Sequence, residues 1–139
     1  MRRFIGDRSG ASVVEFALLI APFLLLVFGV IEVSRALWTR QAAQDIATST
    51  ARCIGVMQDE CTGASGFDPS KASAYVRALA QSYAIILDDS AMSLSRGIEC
   101  DGLPDAAQVQ LKARFDSVFP FEGVIDFSVS ACFVDWSSV

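Results

Sequence analysis

A glycine, a carboxylate and four cysteines are the residues of this chain whose types and spacing could do chemistry. Gly10 precedes Glu15 by five residues, and Glu15 is the sole formal charge in residues 11–31. A carboxylate in such an apolar run costs about 3 kcal/mol on membrane-insertion scales, so its presence calls for a function. Glycine ahead of Ala11 gives an extended, unhindered backbone that an enzyme could approach closely, were the chain cut there. Glu15 lies about one helical turn from the amine that cleavage would create at Ala11, and in lipid neither charge is tolerable alone. The carboxylate could equally meet the amine of a neighbouring subunit, fixing axial register while leaving no isolated buried charge. In either case Glu15 is an assembly residue rather than a catalyst. The plainer alternative is a carboxylate that snorkels at the membrane boundary.

Cys53, Cys61, Cys100 and Cys132 occur in a chain without histidine, a composition that suits disulfides better than metal binding. Zinc coordination would call for CxxC spacing or histidine, and neither is present. Four cysteines permit three pairings. Cys53–Cys61 and Cys100–Cys132 are favoured, because sequence proximity supports the first and adjacent strands would bring the second together. Each bridge is worth about 2–4 kcal/mol to a domain of this size.

The elements that position these residues follow from hydropathy and period. Residues 11–31 would form a helix of roughly 30 Å, the thickness of a bilayer's hydrocarbon, with Val13, Pro22, Gly29 and Ile31 inside it. Arg2, Arg3 and Arg8 precede the span and favour a cytoplasmic N-terminus, which places the rest of the chain outside the cytoplasm. Glu32 lies one turn from Arg35 and can pair with it. A cleavable secretory signal is the competing reading of the same pattern, but no small-x-small site follows the apolar run. Instead Val33, Ala36, Leu37, Ala43, Ile46, Ala47, Ala51 and Ile54 continue at helical spacing, so one helix is expected over residues 11–54 with Pro22 as a kink and Gly55 as a C-cap.

Residues 58–69 read as a loop. Asp68-Pro69 then starts a second helix, with Ala72, Tyr75, Val76, Leu79, Ala80, Tyr83 and Ile86 as its apolar stripe and an end near Leu87. From Met92 the period moves towards two: Met92, Leu94 and Ile98 share a parity, with Gly97 a weak point. Val109, Leu111, Ala113 and Phe115 then form one run, and Ile125, Phe127, Val129, Ala131 and Phe133 another. The expected fold is α+β: a long N-terminal transmembrane and amphipathic helix, then a small domain in which one helix packs on a roughly three-stranded antiparallel sheet. The corresponding segments are a cytoplasmic leader at 1–10, the long helix at 11–54 and an exported domain at 55–139.

With those residues in place, the Gly10-to-Glu15 constellation resembles the processing site of type IV prepilins, in which a membrane-embedded aspartyl peptidase cuts after the glycine. Residues 9–52 are more specifically similar to the TadE-like family, the minor pseudopilins of the tight-adherence (Tad) pilus. Matching positions are Gly10, Glu15 with Phe16 after it, Pro22, Gly29, Glu32 and Arg35. The resemblance implies a chain cut between Gly10 and Ala11, with Glu15 and Phe16 serving assembly. It implies the membrane, the prepilin peptidase, other Tad minor pseudopilins and the major Flp pilin or secretion platform as partners. The implied location is the bacterial inner membrane with the C-terminal domain in the periplasm, and the pilus or cell surface after assembly. Pilus assembly, adhesion and surface attachment would be the role. TadE and TadF are not separated by these residues.

Other function classes find little support. There is no histidine to act as general base, and no G-x-S-x-G, HExxH or phosphate-binding loop, so the chain reads as a peptidase substrate rather than an enzyme, with no cofactor, no metal and no small-molecule substrate. Asp59-Glu60 sits in a polar loop and Asp88-Asp89 closes a helix, where solvated charge is the simpler reading. The chain has 11 basic and 16 acidic residues and a net charge of −5. Loss of residues 1–10 removes three of the basic and one of the acidic residues and leaves −7, a balance that repels nucleic acid. Gln110, Lys112 and Arg114 form only a small polar strip. The competing class is an unprocessed single-pass membrane protein whose exported domain binds a ligand or partner; a third is an enzyme released by signal peptidase.

Overall fold

Lipid-compatible and amphipathic stretches, with Pro22 as the proline inside, wind into one long helix, α1 (Ser9–Gly55), in a computed structural model that describes residues 9–118 and 123–136. Arg2, Arg3, Arg8 and residues 1–8 of the expected leader lie outside the described residues, as do the side chains of Ser9 and Ala11. The chain divides into two compact units, one ending at Arg35 and the other comprising Ala36–Val139.

In the first unit α1 is clothed in exposed apolar side chains, among them Val13, Phe16, Leu18, Leu19, Phe23, Leu26 and Val30. By length and composition this helix can cross a membrane. A helix satisfies its backbone hydrogen bonds internally, which is the condition for entering hydrocarbon. Glu32 and Arg35 pair at 2.9 Å, as their spacing implied.

The second unit is the α+β domain. Its helical part of α1 is followed by a short ladder of β1 (Thr62–Gly63) and β2 (Gly66–Phe67), then α2 (Pro69–Tyr83), β3 (Ile86–Leu87), β4 (Ser93–Cys100), β5 (Leu103–Asp116) and β6 (Val124–Val134). Asp68 caps α2 by accepting from the backbone N–H groups of Ser70 and Lys71, with Pro69 opening the helix. All pairings are antiparallel. Strand β5 is central: β6 runs along one edge, while β4 and β3 follow one another along the other edge. The sheet is therefore three strands wide, although four strands build it.

Val109, Leu111, Ala113 and Phe115 are buried on one face of β5, the alternation read in the sequence. Their cover differs from the expectation of a single helix. Ala43, Ile46, Ala47, Ala51 and Ile54 of α1 join Ala72, Val76 and Ala80 of α2 in one core with the sheet. Small residues dominate the α1 contribution because the helix sits close to the strands. A Cβ added at Gly55 would lie 2.6 Å from Phe133 Cδ1 and 2.8 Å from the Val134 carbonyl oxygen.

Several local expectations are corrected. Helix α2 ends at Tyr83 rather than near Leu87, because Ala84 takes a left-handed conformation (φ 54°) and its N–H and that of Ile85 close back onto Gln81 and Ala80. Ile86 and Leu87 then pair with Arg114 and Ala113 of β5. Asp88 and Asp89 thus follow a strand and begin a short 3-10 turn. The supposed loop at 58–69 contains the β1–β2 ladder. In β4, Gly97 (φ 70°) marks a register shift between Ser95 and Ile98. Leu94 pairs with Val109 on the core face, whereas Ile98 pairs with Ala106 on the opposite one, so the two do not share a face. On β6, Ile125 is exposed while Val129 of the same parity is buried.

Candidate processing and assembly site

The bond between Gly10 and Ala11 lies in the first turn of α1, in helical rather than extended backbone. Cleavage there requires the first turn to unwind, a small task at a helix end whose leading N–H groups have no intrahelical acceptors. Gly10 is exposed, and a Cβ added to it would meet nothing within 4 Å. Packing therefore does not demand glycine at this position, which leaves backbone accessibility as its physical use. Gly29 is likewise unconfined.

Glu15 stands four residues after Ala11, on the neighbouring face of the same helix one turn on. Its side chain is exposed, and among the described residues it has no ion-pair partner. Exposed Val13, Val14, Phe16, Leu18 and Leu19 surround it in sequence, so the carboxylate is set in an apolar surface. Phe16, next in sequence, is a large exposed apolar side chain. Pro22 is accommodated within α1, and Ile31 closes the apolar run just before the Glu32–Arg35 pair. These residues make a surface fit to bury against lipid or against other apolar helices, with one group able to form a single charged contact.

The four cysteines are joined as Cys53–Cys61 and Cys100–Cys132. The first bridge ties the end of α1 to the start of the β1–β2 ladder. The second arises differently from the adjacency expected of it, since β4 and β6 lie on opposite sides of β5. Two register shifts bend β4, one between Ser95 and Ile98 and one between Ile98 and Cys100, and its end reaches across β5 to Cys132. Gln108 on β5 donates to Cys100 Sγ at 3.1 Å beneath the bridge. Cys100, Asp101 and Cys132 cluster closely, but both sulfurs are committed to the disulfide and only Asp101 keeps an ionisable donor.

Sequence reasoning missed a second tie, from β4 to the residue that follows β6. Arg96 grips Asp135 in a two-pronged contact, Nε to Oδ2 at 2.6 Å and Nη2 to Oδ1 at 3.0 Å, and Asp135 is buried. The partners are 39 residues apart, and no local pattern announces them. Lys112 and Arg114 stay on the open polar side of β5, where Arg114 faces Asp126 at 3.8 Å.

Comparison with known families finds a match to the family described as TadE-like protein over residues 10–52. It begins at Gly10, includes Glu15 and Phe16, and ends one residue before Cys53, so the disulfides and the sheet lie beyond it. Comparisons with curated proteins and with solved structures give no match. The TadE-like family is a pilus family rather than an enzyme family, and the long apolar helix fits a membrane anchor. Residues 10–52 are thus similar to the TadE-like family, which is associated with the Tad pilus.

Proposed function

We propose that this chain is a minor pseudopilin of a Tad-type pilus, cut after Gly10 by a prepilin peptidase and used in pilus assembly, adhesion and surface attachment. The observation that carries the reading is the coincidence of the TadE-like match with the Gly10-to-Glu15 spacing at the head of an exposed apolar helix. Glycine that no packing requires, followed by a lone carboxylate in lipid-facing surface, has an economical explanation as a processed and assembled N-terminus. The new amine at Ala11 would neutralise Glu15, on its own chain or on a neighbouring subunit. In the membrane the basic leader stays cytoplasmic and the disulfide-bonded domain lies in the periplasm. Other Tad minor pseudopilins, the Flp pilin and the secretion platform are the partners this role requires.

Mass spectrometry of membrane-extracted protein tests the processing step. A mature N-terminus at Ala11, abolished by Gly10→Leu, is the expected result; an intact N-terminus in cells with active peptidase would overturn it in favour of an unprocessed single-pass protein. For assembly, Glu15→Val should leave membrane insertion and cleavage in place while reducing piliation. Unchanged pili in that variant would remove Glu15 from the role.

A further inference from the structure

The end of the α+β domain at which the chain enters it carries an apolar fringe that lies outside the core. Two contacts fix which parts of the domain meet there. Gln44 of α1 donates to the Ser130 carbonyl of β6 at 2.9 Å, and Gly55 lies against Phe133 and Val134 further on. The domain's part of α1 and strand β6 therefore run in the same direction. Leu37 and Trp38, at the head of that helical part, are consequently at the same end of the domain as Val124 and Ile125, at the head of β6.

All four side chains are exposed, Trp38 at 61%, Val124 at 60% and Ile125 at 46%. Neighbouring residues of a strand point to opposite faces. Strand β6 is thus apolar to its surroundings on both faces at this end, where Val124 takes the place of the polar series Asp126, Ser128 and Ser130. One register step inward, Arg114 faces Asp126. An apolar fringe backed by a mixed-charge step matches the layering of a bilayer interface, where tryptophan is also enriched.

We propose that this fringe, Leu37, Trp38, Val124 and Ile125, is a lipid-contacting rim that seats the domain on the interfacial zone of the bilayer. Covalent continuity selects lipid over a protein occupant: Ala36 is bonded directly to Arg35, and the apolar membrane-anchor stretch ends only a few residues before it. Exposed apolar surface of this kind marks a protein or membrane contact. Trp136, Leu103 and Val134 at the opposite end of β6 are also exposed, but among the described residues the apolar stretch able to cross a membrane leads into the domain at Ala36, at the other end. Acidic Asp116 pairs in register with Val124 and exposed Arg40 follows Trp38, so the rim is flanked by charges of both signs, is suited to zwitterionic lipid, and its seating should be insensitive to salt.

The inference rests on the first half of α1 being a membrane anchor, and one experiment separates the two. The full chain is placed in phosphatidylcholine vesicles whose acyl chains are brominated near the headgroup, with one tryptophan reporter per variant. The reporters are Trp38 alone (Trp136→Phe), Trp136 alone (Trp38→Phe), and Ile125→Trp or Val124→Trp with both native tryptophans changed to Phe. Quenching in Ile125→Trp and Val124→Trp should exceed that of the Trp136 reporter by about twofold or more and approach that of Trp38. Quenching no greater than that of the Trp136 reporter would overturn the rim while leaving the anchor standing. Blue-shifted emission without lipid quenching would overturn it in favour of a protein cover or a second copy. Loss of quenching at Trp38 itself would remove the anchor and the rim together.

Discussion

Ile31 and Ile46 belong to one helix and have the same side chain, yet one is 49% exposed and the other fully buried. The comparison extends to their surroundings. Before Arg35 the helix carries large aliphatic and aromatic residues that nothing among the described residues covers; after Ala36 its inner face is made of Ala42, Ala43, Ala47 and Ala51, with Ile46 and Ile54 as its large aliphatic members. Hydrophobicity alone does not distinguish the two, because lipid and a protein core both accept apolar groups. Size does. Lipid conforms to any side chain, whereas a sheet packed at crystal-like density admits only the volume that its strands leave free.

Matched substitutions would break this contrast most directly. Ile46→Ala should destabilise the domain by about 3 kcal/mol, from lost burial plus the cavity left behind. Ile31→Ala should change it by less than about 0.5 kcal/mol. Urea unfolding of the full chain in detergent, followed by Trp136 fluorescence, measures both, and equal losses would refute the contrast. The glycines offer a second pair. Gly55→Ala forces a methyl group into Phe133 and the Val134 backbone and should cost about 2 kcal/mol, whereas Gly29→Ala meets nothing and should leave domain unfolding unchanged.

A smaller effect sharpens the account of the buried half. Thr50 is fully buried and its hydroxyl has no hydrogen-bond partner among the described residues. Thr50→Val removes that unsatisfied group at nearly constant shape, so stability should hold or rise by up to about 1 kcal/mol. A loss beyond that would show that the hydroxyl has a role in the native packing. The smallest expected effect belongs to the solvent side of the domain. Hydrogen bonds from the Ser90 hydroxyl and N–H hold the Asp88 carboxyl below its ordinary value. A depressed native pKa gives stability that is present above the unfolded value and fades as pH falls through the native one. Asp88→Asn should therefore lower stability slightly at neutral pH, leave it unchanged below the native pKa and so flatten the acid limb of the profile, which unfolding midpoints from neutral to acid pH would read.

The helical periodicity, the Asp68-Pro69 start and the clean alternation of residues 108–115 were legible because each is a local pattern repeated over several residues. Strand β3 and the β1–β2 ladder were not: two-residue strands have no period, and they exist only because partners elsewhere accept their hydrogen bonds. The Gly97 weakness was visible, but its consequence, moving Ile98 to the other face, needed the register of β5. The disulfide pairing was read correctly in Cys100–Cys132 with the wrong adjacency, since nothing local says that a bent strand crosses its neighbour.

What the amino-acid sequence determined by itself is the helix, the apolar run with its lone Glu15 and the Gly10 spacing, because these depend on residues within a turn or two of each other. The tertiary structure alone decided that the amphipathic half of α1 shares the core with α2, that Arg96 meets Asp135, and that Val124 and Ile125 are left uncovered. Those outcomes depend on which strands pair and where the covering helices run out. Contacts between residues distant in sequence carry no local period from which they could be read.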